Sequence, residues 1–226
     1  MTVMETPLAH LPRLPFWKHL TPEERILLQN RSYYLQYRQG QQLRSAGTQC
    51  LGVLLVLSGT LRTYLLSPDG REMTLSRTRA GETYLLTASC VLESISFDTH
   101  VDAEEDCEVL LIPSDVFSVL VEQNLQVECD SYKMLADGYA DVVSSIERLI
   151  FLSLEQRIAS FLLDESAETG AGQLQMTHEQ IAVSIGSARV AVNRALHQME
   201  KKGLVELSRG SIRLIDKTAL YRLLKS

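Results

Sequence analysis

Arg189, Asn193 and Arg194 share one side of a stretch with helical spacing, and His197 continues the row. These side chains reach the acceptors of base edges and phosphates, so the chemistry they offer is recognition and not bond making. On the opposite side Val192, Leu196 and Met199 recur at helical spacing and are expected to face a core. Gly203 ends this helix. A second, shorter helix must precede it. Thr177 and Gln180 have the spacing of a capping box, and Ile181, Ala182 and Ile185 give that helix one apolar side. Gly186 supplies the positive φ of a tight interhelical turn, and Ser187 is placed to cap the second helix. Beyond Gly203, Leu204–Leu207 and Ile212–Ile215 flank Ser208-Arg209-Gly210-Ser211, the pattern of a hairpin. Cap, short helix, glycine turn, second helix and hairpin in that order predict a winged helix-turn-helix, a major-groove DNA reader. The alternative is an ordinary helical hairpin with a solvated basic face.

Charge distribution agrees with the DNA reading. The 226 residues carry a net charge of −6. Residues 1–150 hold 12 lysines and arginines against 20 acidic residues, a net of −8. Residues 169–226 hold 9 against 4, a net of +5. An acidic front and a basic tail suit a sensor joined to a DNA-binding domain, because only the field near the phosphates drives binding.

No run approaches the roughly 18 apolar residues of a membrane span, and no signal peptide is evident, so no membrane association is expected. Cys50, Cys90, Cys107 and Cys129 are widely separated, with no CxxC pair. That argues against a zinc ribbon or a disulfide scaffold and leads us to expect a cytoplasmic protein.

The upstream sequence is β-like. Thr21-Pro22-Glu23-Glu24 starts a short helix leading into Tyr33–Tyr37. Leu51–Leu57 reads as a buried run, Leu61–Leu66 and Met73–Ser76 as strands around the turn Pro68-Asp69-Gly70, and His100-Val101 and Val109–Ile112 complete the set. Turns every ten or so residues predict a small barrel or jelly roll. After Pro113 the period becomes helical. Leu135, Val142, Ile146 and Leu149 repeat at seven-, four- and three-residue steps on a long helix, a stripe that must pack on the barrel or on a twin helix. Ser153 and Gln156 form another capping box. The fold class is therefore α+β: a β-roll effector-sensing domain over 1–123, a long dimerisation helix over 124–150, and a winged helix-turn-helix over 151–226.

This order of elements resembles the CRP/FNR family of bacterial transcription regulators over nearly the whole chain. The roll glycines of that family look like Gly40, Gly59, Gly70 and Gly81, in YRQGQQL, LSGTLRTYLLSPDGREM and RAGETY. SLEQRIASFLLDES looks like the helix leading to the reader, and IGSARVAVNRAL like the recognition segment. The resemblance implies a homodimer that reads double-stranded DNA, contacts RNA polymerase when it activates, responds to a small-molecule effector, and is not an enzyme. A cupin-like metal enzyme would need several histidines on the strands, and only His100 lies there.

Two departures bear on the effector. Cyclic-nucleotide members follow a Gly-Glu pair with small residues and an arginine that meets the cyclic phosphate. The corresponding cassette here is Gly81, Glu82, Thr83, Tyr84, Leu85, Leu86, Thr87, Ala88, Ser89 and Cys90, with no Arg or Lys between Arg79 and Lys133. A cyclic nucleotide is therefore not expected. Oxygen-sensing members hold an iron–sulfur cluster on N-terminal cysteines, and residues 1–49 have none, so that cofactor is not expected either. A small apolar or anionic molecule, a haem ligated by His100, His10 or His19, or a thiol signal at Cys90 remain the candidates. Tyr132, Met134 and Tyr139 on the long helix either line a pocket beside the roll or serve packing.

The family's recognition helix commonly carries Arg-Glu and then Arg one turn later. The aligned residues are Arg189, Val190 and Arg194, so the base that a glutamate would read meets an apolar side chain. Arg189 is assigned to a phosphate or guanine, Arg194 to guanine O6/N7, and Asn193 to adenine or a phosphate. Thr177, Ser187 and Ala188 at the helix starts, and Lys201, Lys202, Arg209 and Ser211 around the wing, complete the expected DNA-binding set. An interaction module that has lost DNA binding is the remaining alternative, since Val190 replaces the glutamate.

Overall fold

The computed structural model describes residues 9–44, 52–67, 70, 72–85 and 99–224. It divides into two compact units, Met1–Leu65 with Leu75–Val142, and Leu66–Thr74 with Val143–Ser226.

Among its described residues the first unit opens with two single 3-10 turns, Leu11–Arg13 and Trp17–His19, and helix α1 (Pro22–Arg31). The Thr21 hydroxyl and the Glu24 carboxylate cap α1 reciprocally, as their spacing predicts. Among the described residues eight strands follow: β1 (Tyr33–Tyr37), β2 (Gln42–Arg44), β3 (Gly52–Ser58), β4 (Thr60–Leu66), β5 (Glu72–Arg79), β6 (Thr83–Leu85), β7 (His100–Ala103) and β8 (Cys107–Pro113). They form two four-stranded sheets in the orders β1-β8-β3-β6 and β2-β7-β4-β5, the strand order of a jelly roll.

Alternation along β3 explains the unbroken apolar run read in the sequence. Leu54 and Val56 point into the space between the sheets, where they meet Leu61, Val101, Ala103, Cys107 and Val109. Val53 and Leu55 point the other way, into a layer with Leu110, Ile112, Phe117 and Leu120. A strand buried on both faces has no polar side to show. That outer layer is built by α1, the 3-10 turns and helix α2 (Ser114–Gln123), and Phe16 packs on Phe117 with ring centroids 5.6 Å apart. The turn between β3 and β4 requires glycine. Gly59 has φ +80°, and a Cβ there would lie 2.5 Å from the Asp106 carbonyl oxygen and 2.6 Å from Cys107 Sγ.

Helix α3 (Leu125–Phe151) runs 27 residues and belongs to both units. Asn124 caps its start, accepting from the backbone N–H of Gln126 and Val127. The second unit continues with α4 (Leu154–Thr169), β9 (Gln173–Leu174), α5 (His178–Ser184), α6 (Arg189–Lys201), β10 (Val205–Ser208), β11 (Ser211–Leu214) and α7 (Lys217–Leu223). Its core joins Ile158, Leu162, Ile181, Val192, Leu196, Met199, Ile212 and Leu220.

Besides the 3-10 turns and β2, which pairs with β7, three elements differ from the sequence reading. β6 extends the first sheet by pairing with β3, although the reading leaves residues 83–85 inside the cassette. β9 adds a third strand to the wing by pairing with β11, where only a loop is expected. α7 follows the wing, capped by Asp216, whose carboxylate accepts from the Ala219 N–H at 2.9 Å. All three are short, and pairing or packing with distant residues decides them.

Candidate nucleic-acid interface

The Thr177 hydroxyl accepts from the Gln180 N–H at 3.2 Å, and Gln180 Oε1 accepts from the Thr177 N–H at 2.7 Å. This reciprocal cap fixes the start of α5. Ile181 and Ala182 bury its inner side. The helix stops at Ile185, where Gly186 takes φ +62° and the Ser187 N–H closes back onto the Ala182 carbonyl at 2.9 Å. Arg157 of α4 holds this turn by donating from Nη1 to the Ile185 carbonyl at 3.1 Å. Burial pushes the Arg157 guanidinium below its usual range.

α6 then starts one residue later than the sequence suggests. Its N-cap is Ala188 and not Ser187, so no N-cap side chain reaches its first N–H groups. Val192, Ala195, Leu196 and Met199 are buried, which turns Arg189, Val190, Asn193, Arg194 and His197 outward. Val190 is 71% exposed.

The outward row is held by neighbours on α5. His178 Nδ1 lies 2.9 Å from Asn193 Oδ1, and Glu179 lies 3.5 Å from Arg189 Nε. The His178 and His197 rings meet edge to face at 6.3 Å. His197 contacts Glu200 at 3.3 Å, and Glu200 also accepts from the Leu207 N–H of the wing at 3.0 Å. The Leu207 N–H, and then His197, hold the Glu200 carboxyl below its usual range. Neither His178 nor Glu200 stands out in the sequence, because Asn193 and Leu207 lie on other elements, 15 and 7 residues away.

The remaining expected contacts spread over the same unit. Lys201 and Lys202 are exposed at the end of α6, and Lys202 pairs with Glu155 at 2.6 Å. Arg209 sits exposed at the two-residue tip between β10 and β11. Thr177 is exposed but uses its hydroxyl in the cap, and Ser187 is half-buried. Ser211 departs from the expected wing contact. It is buried, and its hydroxyl accepts from Gln173 at 3.1 Å because β9 lies beside it. Arg213 pairs with Glu206 across the wing.

Residues 156–223 match the family of the Crp-like helix-turn-helix domain, and residues 34–124 match the cyclic nucleotide-binding domain. The structure superposes on a transcriptional regulator of the Crp/Fnr family from Eubacterium rectale with a TM-score of 0.89. The two are 35% identical, over 95% of this chain and 100% of that one. The chain belongs to the CRP/FNR family of transcription regulators. It is also 27% identical to the cyclic AMP receptor protein of Thermus thermophilus, over 91% of this chain and 94% of that one. The c-di-GMP responsive global regulator CLP of Xanthomonas campestris shares the fold, with TM-score 0.73 and 21% identity over 87% of this chain and all of that one.

Gly81 donates its N–H to the Val56 carbonyl at 2.8 Å, and Glu82 accepts from the Arg79 N–H at 2.8 Å, so the carboxylate caps its own turn. Thr83, Tyr84 and Leu85 form β6, and Tyr84 packs on the inter-sheet core. Thr87, Ser89, Cys90 and Cys50 lie outside the described residues. Arg62 is bound to Asp102 at 2.7 Å and Arg77 to Glu104 at 2.6 Å. His100 stacks on Tyr64 at 5.2 Å and contacts Gln42 at 3.2 Å, while His19 contacts Asp130 at 2.6 Å. Burial raises the Cys107 thiol, which donates to the Thr60 and Glu105 carbonyls. On α3, Tyr132 and Tyr139 face solvent, Leu135 and Val142 are half-buried, and Ile146 and Leu149 are exposed. Among the described residues no cluster of His, Cys, Asp or Glu has the makings of a metal site, and no helix is long and apolar enough to cross a membrane.

Proposed function

We propose that this CRP/FNR regulator binds a two-fold symmetric DNA site as a homodimer, under control of a signal sensed by the roll that is not a cyclic nucleotide. The observation that carries the reading is the outward row Arg189, Val190, Asn193 and Arg194 on a helix whose other side is buried. Arg194 serves guanine O6/N7, Arg189 a guanine or phosphate, and Val190 a thymine methyl. Ala188 at the helix start, Lys201, Lys202 and Arg209 add backbone contacts. Pairing through Leu135, Val142, Ile146 and Leu149 sets the two readers about one DNA turn apart.

The donor set of the roll supports a signal other than a cyclic nucleotide. Among the described residues Arg62 and Arg77 are committed to carboxylates, and Glu82 to its own turn. A cyclic phosphate needs a guanidinium or an amide cradle. Relatives whose names carry cyclic AMP and c-di-GMP share this fold, so the fold does not fix the signal. A signal acts by stabilising one pose of the readers over another, and an activating pose also presents a surface to RNA polymerase.

Selection from random duplex by the purified protein, at about 0.15 M salt with and without reductant, tests this reading. A two-fold symmetric site supports it, and a reductant effect points to Cys90. An asymmetric site, or none under either condition, overturns it.

A further inference from the structure

The contact between His178 and Asn193 has a consequence for which base Asn193 reads. An unrestrained asparagine reads adenine with both ends of its amide: Oδ1 accepts from N6 while Nδ2 donates to N7. The amide is planar and turns as one piece, so holding its oxygen aside swings its nitrogen away from the holder. Asn193 is exposed on α6, and its Oδ1 lies 2.9 Å from His178 Nδ1. The imidazole therefore donates to Oδ1 through its Nδ1–H.

His178 is itself well placed to hold. It is the first residue of α5, next to the Thr177–Gln180 cap. Its ring meets the edge of His197, His197 is tied to Glu200, and Glu200 is tied to the Leu207 N–H of the wing. Wing, α6 and α5 thus brace one amide from behind.

We propose that His178 is a positioning residue that sets base specificity by locking the Asn193 amide with its two N–H donors outward. Resting on the DNA-reading role above, this predicts an edge that presents acceptors to the outward donors, guanine N7/O6 or the thymine O4, in place of adenine, whose N6 amino group then meets no acceptor. Arg189 keeps its own contact with Glu179.

The test is selection from random duplex by the full chain, comparing wild type with His178→Ala, His178→Gln, Asn193→Ala and the His178→Ala/Asn193→Ala double variant. Asn193→Ala identifies the position that Asn193 reads. There the wild type is expected to favour guanine or thymine, and His178→Ala to shift the ratio toward adenine by about tenfold. His178→Gln keeps an N–H donor and is expected to restore the wild-type preference. In the Asn193→Ala background, His178→Ala is expected to change nothing further. An unchanged base profile in His178→Ala overturns the inference, as does equal weakening on every duplex, which marks His178 as a phosphate contact. A wild-type site insensitive to Asn193→Ala overturns the inference alone, whereas a wild type that enriches no site overturns the DNA-reading role with it.

Discussion

Arg194 and Lys201 both face out from α6, yet they should fail in different ways. Arg194 is assigned to a base edge, so Arg194→Ala should cost about 1–3 kcal/mol on the selected site and relax one position. Equal loss on selected and random duplex would sink that assignment. Lys201 and Lys202 are assigned to phosphates, where each contact contributes about 0.9 to the slope of log affinity against log salt. Lys202 already faces Glu155 at 2.6 Å, so its charge is partly spent within the protein. Lys201→Ala should therefore flatten the slope more than Lys202→Ala, a ranking that salt titration on one duplex checks directly. Val190 gives the converse experiment. It is 71% exposed, so Val190→Glu should leave the thermal midpoint in place. A carboxylate there accepts from cytosine N4, and the preferred base should move toward cytosine. An unmoved base preference would mean that position 190 does not meet the groove.

Asp130 on α3 is buried, which alone would raise its carboxyl. Hydrogen bonds from Lys133 and His19 outweigh the burial and hold it below the usual range. A lowered carboxyl contributes stability above its unfolded value of about 3.9, and loses it as pH falls through the still lower folded value. Asp130→Asn should thus lower the thermal midpoint at pH 7, and the gap from wild type should close below about pH 4. A gap constant with pH would mean that packing and not charge is responsible. Sequence served these elements unevenly. The boxes at Thr21, Ser153 and Thr177 were legible because a cap is a four-residue event, and all three form. Ser187 has a capping side chain too, but the Gly186 turn places Ala188 at the start of α6. β6 and β9 have no pattern of their own, because β3 and β11 decide that residues 83–85 and 173–174 are strands. The row Arg189, Asn193 and Arg194 was legible from helical spacing, whereas the grip of His178 on Asn193 spans 15 residues and two helices.

For the whole molecule the decisive element is α3, whose 27 residues extend about 40 Å at 1.5 Å per residue. Its far end carries Ile146, Leu149, Ile150 and Phe151 in the open, with exposures of 44%, 39%, 65% and 76%. A contiguous apolar stripe of this kind calls for a partner surface, and a second copy of the same stripe is self-complementary. The DNA reading asks for the same thing. One helix reads only a few base pairs, so a single reader discriminates weakly against the excess of random sequence, and two readers on a shared axis roughly square that discrimination. Ile146→Asp with Leu149→Asp puts like charges into the stripe without touching the outward row of α6. The double variant should sediment as a single chain at micromolar concentration, where the wild type sediments as two. On the two-fold symmetric site its affinity should fall steeply, while its affinity for an isolated half-site should stay within about twofold of wild type, since the base contacts are intact. Moving the half-sites apart by about five base pairs, half a DNA turn, should reproduce that loss in the wild type and leave the variant indifferent. A variant that remains paired, or one that keeps full affinity for the symmetric site, would place the pairing surface somewhere other than α3.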